Sequence, residues 1–222
     1  MQAARHHGLP VSRYNTAALI SAFREVRSER DRGLLEVAMS RAFLSYAADI
    51  QTGVLEPRSV DAGIVRDVPR RDRLAVMTAF ARSTPAAFIR GLPPQSPEYA
   101  RLMKAKLALE KSLDRGGWGA PVTAAELEPG ETGDQVVELR NRLIAMGYLK
   151  RSASREYDAA LIRAVTQAQL DNGLSPDGIA SSATLDAINM PADARLQSVI
   201  VAMERERWIN QPLGKRHIWV NL

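Results

Sequence analysis

The sequence contains no cysteine. That excludes a disulfide framework, a thiolate metal site and a cysteine nucleophile within these residues. Aromatic residues make up only 5% of the chain. Its cores must therefore come from Leu, Val, Ile, Met and many Ala, a balance that favours close-packed helices over a β-sandwich. No apolar run approaches the ~20 residues that a membrane-spanning helix needs, and nothing ahead of Asn15 resembles a signal peptide. The histidines, His6, His7 and His217, lie at the two ends without metal-ligand spacing. A polar, loose N-terminus accounts for the first two. No Gly-x-Ser-x-Gly elbow and no phosphate-cradling loop occurs. What is present is 222 residues, 45% of them hydrophobic, a length that suits two modest cores better than one. The net charge of +5 is spread along the chain and never forms a block, as on a solvated surface.

The first half reads as helices punctuated by Pro and Gly. Asn15 can cap a helix with Leu19, Ala22, Phe23 and Val26 on one face. Ser28-Glu29-Arg30-Asp31 has the form of a capping box. It opens a second helix that carries Leu35, Met39, Ala42, Tyr46 and Ile50 and stops at Gly53. Val54–Pro69 reads as loop, and Arg71–Ser83 and Ala86–Arg90 as helices. After the break at Gly91-Leu92-Pro93-Pro94, Ser96 and Pro97 are natural opening residues for a helix through Leu102, Ala105, Leu109 and Leu113. These stripes are core faces, not cofactor pockets, and no cofactor is implied.

Residues 116–129, with glycines, Pro121 and Pro129, have the composition of an interdomain linker. Trp118 stands alone in it; packing the linker against a domain is its expected role, and stacking on a carbohydrate the alternative. A tighter pattern follows. One helix carries Val136, Val137, Leu139, Leu143 and Met146 and ends at Gly147. A second starts near Asp158, carries Leu161, Ala164, Val165 and Ala168, and ends at Asn172-Gly173. A third, capped by Ser181 or Ser182, holds Leu185 and Ile188. Another helix begins near Pro191, and Arg216–Leu222 then alternates like a lone β-strand. The expected fold is mainly α. Residues 1–115 form a helical scaffold domain, 116–129 a linker and 130–190 a compact three-helix domain; 191–222 supply a final helix and one orphan strand.

Within 130–190, Gly130-Glu131-Thr132-Gly133, Val136, Leu139, Leu143 and Met146-Gly147-Tyr148-Leu149 come first. Tyr157-Asp158, Ala164-Val165, Gln169, Gly173-Leu174, Asp177-Gly178 and Thr184-Leu185 follow in order. Together they resemble the peptidoglycan-binding type 1 domain family. The chain departs from the family at Ala168, where an aromatic is usual, and at Ser181-Ser182, where Gly-Pro is favoured; both bear on affinity more than on fold. Met39–Gly53 and Leu92-Pro93-Pro94 with Pro97, Tyr99 and Leu102 resemble the scaffold domain of the large L,D-transpeptidases. Met203-Glu204-Arg205 to Trp208, and His217–Leu222, look like that family's lead-in to its catalytic β-domain.

The resemblance implies acyl transfer in the parent enzyme: a cysteine attacks the peptide bond after the third residue of a donor stem, and a histidine acts as base. The Ser-x-Gly-Cys run that carries this is not in the sequence, so these residues alone are expected to be inert. It also implies a periplasmic or envelope location. The implied partners are peptidoglycan, both glycan strands and stem peptides, and a catalytic domain that this sequence lacks. Peptide carboxylates and acetamido groups call for donors and an apolar shelf; Arg140, Tyr148, Arg163 and Gln169 are the candidate contacts, with no catalytic and no metal-binding residues. The alternatives are a stand-alone wall-binding or interaction protein, and a helix-turn-helix DNA-binding protein. The last fails on its second helix: Ser181–Asn189 has no Lys or Arg and carries Asp186, which repels phosphate.

Overall fold

The computed structural model describes residues 2–210 and residue 216. The protein is mainly α. Among the described residues ten α-helices follow one another, and β pairing is confined to two isolated bridges, Leu127–Ala180 and Thr132–Glu156. The strand anticipated at the end of the chain, with His217, lies outside the described residues. The helices belong to two compact units. One runs up to Leu107 and resumes at Val199; the other is Ala108–Ser198.

The first unit opens with two short 3-10 turns, Gln2–His7 and Val11–Tyr14. They precede α1 (Thr16–Glu25), α2 (Glu29–Thr52), α3 (Pro57–Val60), α4 (Arg73–Ala81), α5 (Pro85–Arg90) and the start of α6 (Pro97–Leu113). The long α2 begins at the anticipated capping box. Ser28 Oγ accepts from the Asp31 N–H at 3.1 Å, and Asp31 Oδ2 accepts from the Ser28 N–H at 2.9 Å, so two otherwise orphaned donors are satisfied reciprocally. It stops at Gly53, whose φ of 91° excludes most side chains. Ser96 caps α6 by accepting from the Tyr99 N–H. Tyr14, Tyr46, Ala47, Ile50, Val76 and Leu92 make the core, with Phe43 and Phe88 packed on it.

Four details of this unit depart from expectation. Residues Pro57–Val60, inside the expected loop, form a helical turn started by a first-position proline. Asn15 makes no side-chain cap and takes a left-handed φ of 45°. Helix α1 also buries none of its residues, and Phe23 is 68% exposed. Apolar spacing shows that a helix has a hydrophobic face but not what covers it. The N-terminus, finally, is not loose. Ala4 and Leu9 are buried, and the His7 ring stacks on Tyr99 with centroids 6.0 Å apart.

The later part of α10 (Ala192–Trp208) completes this unit through polar contacts. Glu204 Oε1 accepts from the backbone N–H groups of Val54 (2.6 Å) and Leu55 (2.8 Å). Buried Arg207 donates to Glu204 Oε2 at 2.9 Å, to the Tyr99 hydroxyl at 3.0 Å and to the His7 carbonyl. Asn210 donates to the Gln51 carbonyl. Burial is the main reason the His7 pKa falls to about 4, with Arg207 adding to it.

The second unit is built on α7 (Asp134–Met146), α8 (Ala159–Asp171) and α9 (Ser182–Asn189). Their inward stripes are the anticipated ones: Val136, Leu139 and Leu143 from α7, Leu161, Ala164, Val165 and Ala168 from α8, and Leu185 and Ile188 from α9. Burying each large aliphatic side chain stabilises by about 1.5–3 kcal/mol. Asp158 caps α8 by accepting from the Ala160 and Leu161 N–H groups. Residues 116–129 also lie in this unit. Asn189 brackets Val122, accepting from its N–H at 2.8 Å and donating to its carbonyl at 3.0 Å, and Val122 and Leu127 join the core. Arg142, buried beneath, donates to the carbonyls of Gly119, Ile188 and Met190. This long stem with a fixed donor fork ties together loop ends that a hydrophobic side chain would leave unsatisfied.

Candidate functional site

The four residues expected to contact ligand sit in the second unit in different environments. Gln169, on α8, is 1% exposed. The two N–H groups of its amide are shared among Asp177 Oδ1 (2.8 Å), the Ile179 carbonyl (2.9 Å) and Thr184 Oγ1 (3.1 Å), and its oxygen accepts from the Gly178 N–H (2.9 Å). Tyr157 closes the same turn by donating to the Gly178 carbonyl at 2.8 Å. Gln169 therefore holds the loop that leads into α9. Arg140, on α7, is 1% exposed as well. It donates to the Glu156 carbonyl (2.7 Å) and Asp158 Oδ2 (2.9 Å), bracing the cap of α8. The Asp158 carboxyl is held below its ordinary pKa, first by the Leu161 N–H and then by Arg140.

Tyr148 and Arg163 face outward. Arg163 is exposed on α8. Tyr148 follows the left-handed Gly147 that ends α7, and its half-buried ring packs on the core. Its hydroxyl donates to Asp171 Oδ2 at 3.0 Å. Burial, and then the bond to Asp171, push its pKa up to about 12, so the phenol stays protonated as a donor at neutral pH. Tyr148 lines a concave pocket of about 220 Å³ with Met146, Trp118, Asp171, Asn172 and Arg195. Asp171 also accepts from Gln167 Nε2 at 2.9 Å, and Arg195 donates to Asn172 Oδ1 at 2.6 Å. Trp118 is braced by the Arg142 guanidinium, 5.6 Å from its ring centroid.

Residues 132–188 match the family model described as "Putative peptidoglycan binding domain". This part of the chain is thus similar to a wall-binding type of domain. A second model, the Scaffold domain, matches residues 1–105, and no curated protein matches the chain. The first match supports peptidoglycan as a partner class and points to the cell wall or envelope as the setting, and neither matched domain is a catalytic one. No helix among the described residues is long and apolar enough to cross a membrane. Among those residues, too, no group of three or more His, Asp or Glu could hold a metal ion.

The peptidoglycan-binding match covers Tyr148, Asp171 and Asn172 but stops short of Trp118 and Arg195. Arg195 was not among the expected contacts, and Trp118 was expected there only through the alternative of stacking on a carbohydrate. Their convergence joins residues as far apart in the chain as Trp118 and Arg195. Local spacing carries no signal for that.

Proposed function

We propose that this chain is the non-catalytic scaffold and wall-binding part of a periplasmic L,D-transpeptidase, serving peptidoglycan cross-linking. The observation that carries this is the pairing of a scaffold-domain match with a peptidoglycan-binding match in one chain, in the order of the large L,D-transpeptidases that the sequence resembles. The second unit holds the parent on the wall, and the scaffold unit positions the catalytic domain over a stem peptide. Tethering of this kind raises local substrate concentration without adding chemistry. Of the four candidate contacts, Tyr148 and Arg163 are accessible to a ligand, whereas Arg140 and Gln169 are buried, Gln169 bonded through its amide and Arg140 through Nη2 to groups of the fold.

The test is co-sedimentation of the full chain with purified sacculi, repeated over a range of salt. Pelleting supports the wall-binding role; none at low or moderate salt refutes it. A Ser-x-Gly-Cys run encoded downstream in the same reading frame would support the transpeptidase parentage. A stand-alone interaction protein is the second reading. It is favoured by the open apolar face of the first unit, where Leu19, Ile20, Phe23, Met39 and Ile89 line a groove of about 500 Å³. Binding of a partner protein without pelleting on sacculi would select it.

A further inference from the structure

The pocket beside Tyr148 has three properties that together select a ligand chemistry. Its charge is balanced, with the Asp171 carboxylate and the Arg195 guanidinium among its lining groups. Its polar groups are held in place before any ligand arrives. Asp171 is fixed by Tyr148 and Gln167, and Arg195 is fixed by Asn172, whose own amide donates to the Ala168 carbonyl at 2.7 Å. Each fixed group retains capacity: a carboxylate has about four acceptor sites and a guanidinium five N–H donors. Finally, the indole of Trp118 and the ring of Tyr148 provide flat apolar surface, and Met146 and Leu109 add a flexible apolar wall.

From this we infer that the pocket is a subsite for one neutral N-acetylated sugar ring of a glycan strand, not for a stem peptide. The inference rests on the wall-binding role proposed above and specifies which part of the wall this domain grips. Sugar hydroxyls both donate and accept, so one ring can use a fixed acceptor and a fixed donor at once. Its C–H faces suit an aromatic surface, and an acetamido group brings a carbonyl for Arg195 and a methyl for the apolar wall. A stem peptide is anionic, and a pocket in which the charges of Asp171 and Arg195 balance offers it no net attraction. The volume of about 220 Å³ admits a single ring, so a longer glycan must run across the surface with one unit seated. Trp118 and Arg195 lie outside the matched residues 132–188, so the flanking segments belong to the site.

The experiment uses the full chain labelled with ¹⁵N and two probes: the trimer of β-1,4-linked N-acetylglucosamine, and a free stem tetrapeptide. Saturable shifts of the Trp118 indole N–H and the Arg195 Nε–H with the trimer, and none with the tetrapeptide, are the expected result. Trp118→Ala and Arg195→Ala should each weaken sacculus binding at least tenfold, with the amide spectrum of α7 and α8 otherwise retained. Shifts at these two residues with the tetrapeptide alone would overturn the glycan assignment. If wild-type chain pellets with sacculi but folded Trp118→Ala and Arg195→Ala pellet equally well, the subsite is refuted while wall binding stands. No pelleting of wild type removes both.

Discussion

Replacing Gln169 by Leu separates a structural from a ligand-binding role for this residue. Leu is similar in size, so the change leaves little cavity and removes mainly polar partners. Four partners depend on Gln169, and they differ in what they lose. Asp177 is exposed and can turn to water. Thr184 retains Ser181 Oγ at 3.2 Å. The Gly178 N–H, in a buried residue, and the half-buried Ile179 carbonyl have no such substitute on the amide's side. A buried group left unsatisfied costs about 1–3 kcal/mol, so two such groups predict a loss of about 2–6 kcal/mol from the second unit. With a urea slope of ~1–2 kcal/mol/M, the unfolding midpoint should fall by roughly 2 M. Urea titration followed through the amide resonances of α7 and α8 measures this unit by itself. Sacculus binding by the folded variant should match wild type. A variant as stable as wild type that no longer pellets would refute the reasoning and place Gln169 at the ligand.

Other substitutions test other links. At Gly178, φ is 77° and an added Cβ would meet Ile162 Cγ2 at 2.8 Å and Thr166 Oγ1 at 3.1 Å. Gly178→Ala should therefore cost about 2–4 kcal/mol from backbone strain and overpacking, read by the same titration; a loss under ~0.5 kcal/mol would contradict it. Asp158→Ala removes the cap of α8 and the carboxylate facing Arg140; a loss of at least ~1 kcal/mol is expected in thermal or urea unfolding. The Asp158 pKa is lower in the folded state, so its contribution is complete above the unfolded carboxylate range and is lost as pH falls through the folded value. Wild type should then lose more stability than Asp158→Ala on acidification below pH ~4. His7 acts in the first unit. Its pKa falls from 6.5 to about 4, so the unfolded state binds the extra proton and stability declines as pH drops from about 6.5 towards 4. The decline is at most ~3 kcal/mol, since one pKa unit corresponds to about 1.4 kcal/mol. Substituting Gln for His7 should flatten it in urea midpoints measured between pH 7 and 5; an unchanged slope would mean that another group titrates.

The helical class and most of the helix ends were legible in the residues alone, because both are local. The capping box at Ser28, the stop at Gly53, the proline at the start of α6 and the glycine after Met146 act on backbone groups within a turn of themselves. The period of the apolar residues in α7, α8 and α9 likewise selected the buried faces. It did not distinguish Gln169 and Arg140, which satisfy buried loops, from Tyr148, which lines a pocket: a polar residue on a helix looks the same in sequence whether its partner is backbone or ligand. That 116–129 lies along the three-helix unit, and that His7 meets Tyr99 and Arg207, came from the packing in three dimensions. It alone brought Trp118 and Arg195 to the rim of one pocket. These pairings join groups about 70 to 200 positions apart, where closing the chain costs entropy and the return is a satisfied buried polar group or a covered apolar surface. That balance is struck in three dimensions and leaves no periodic trace along the chain.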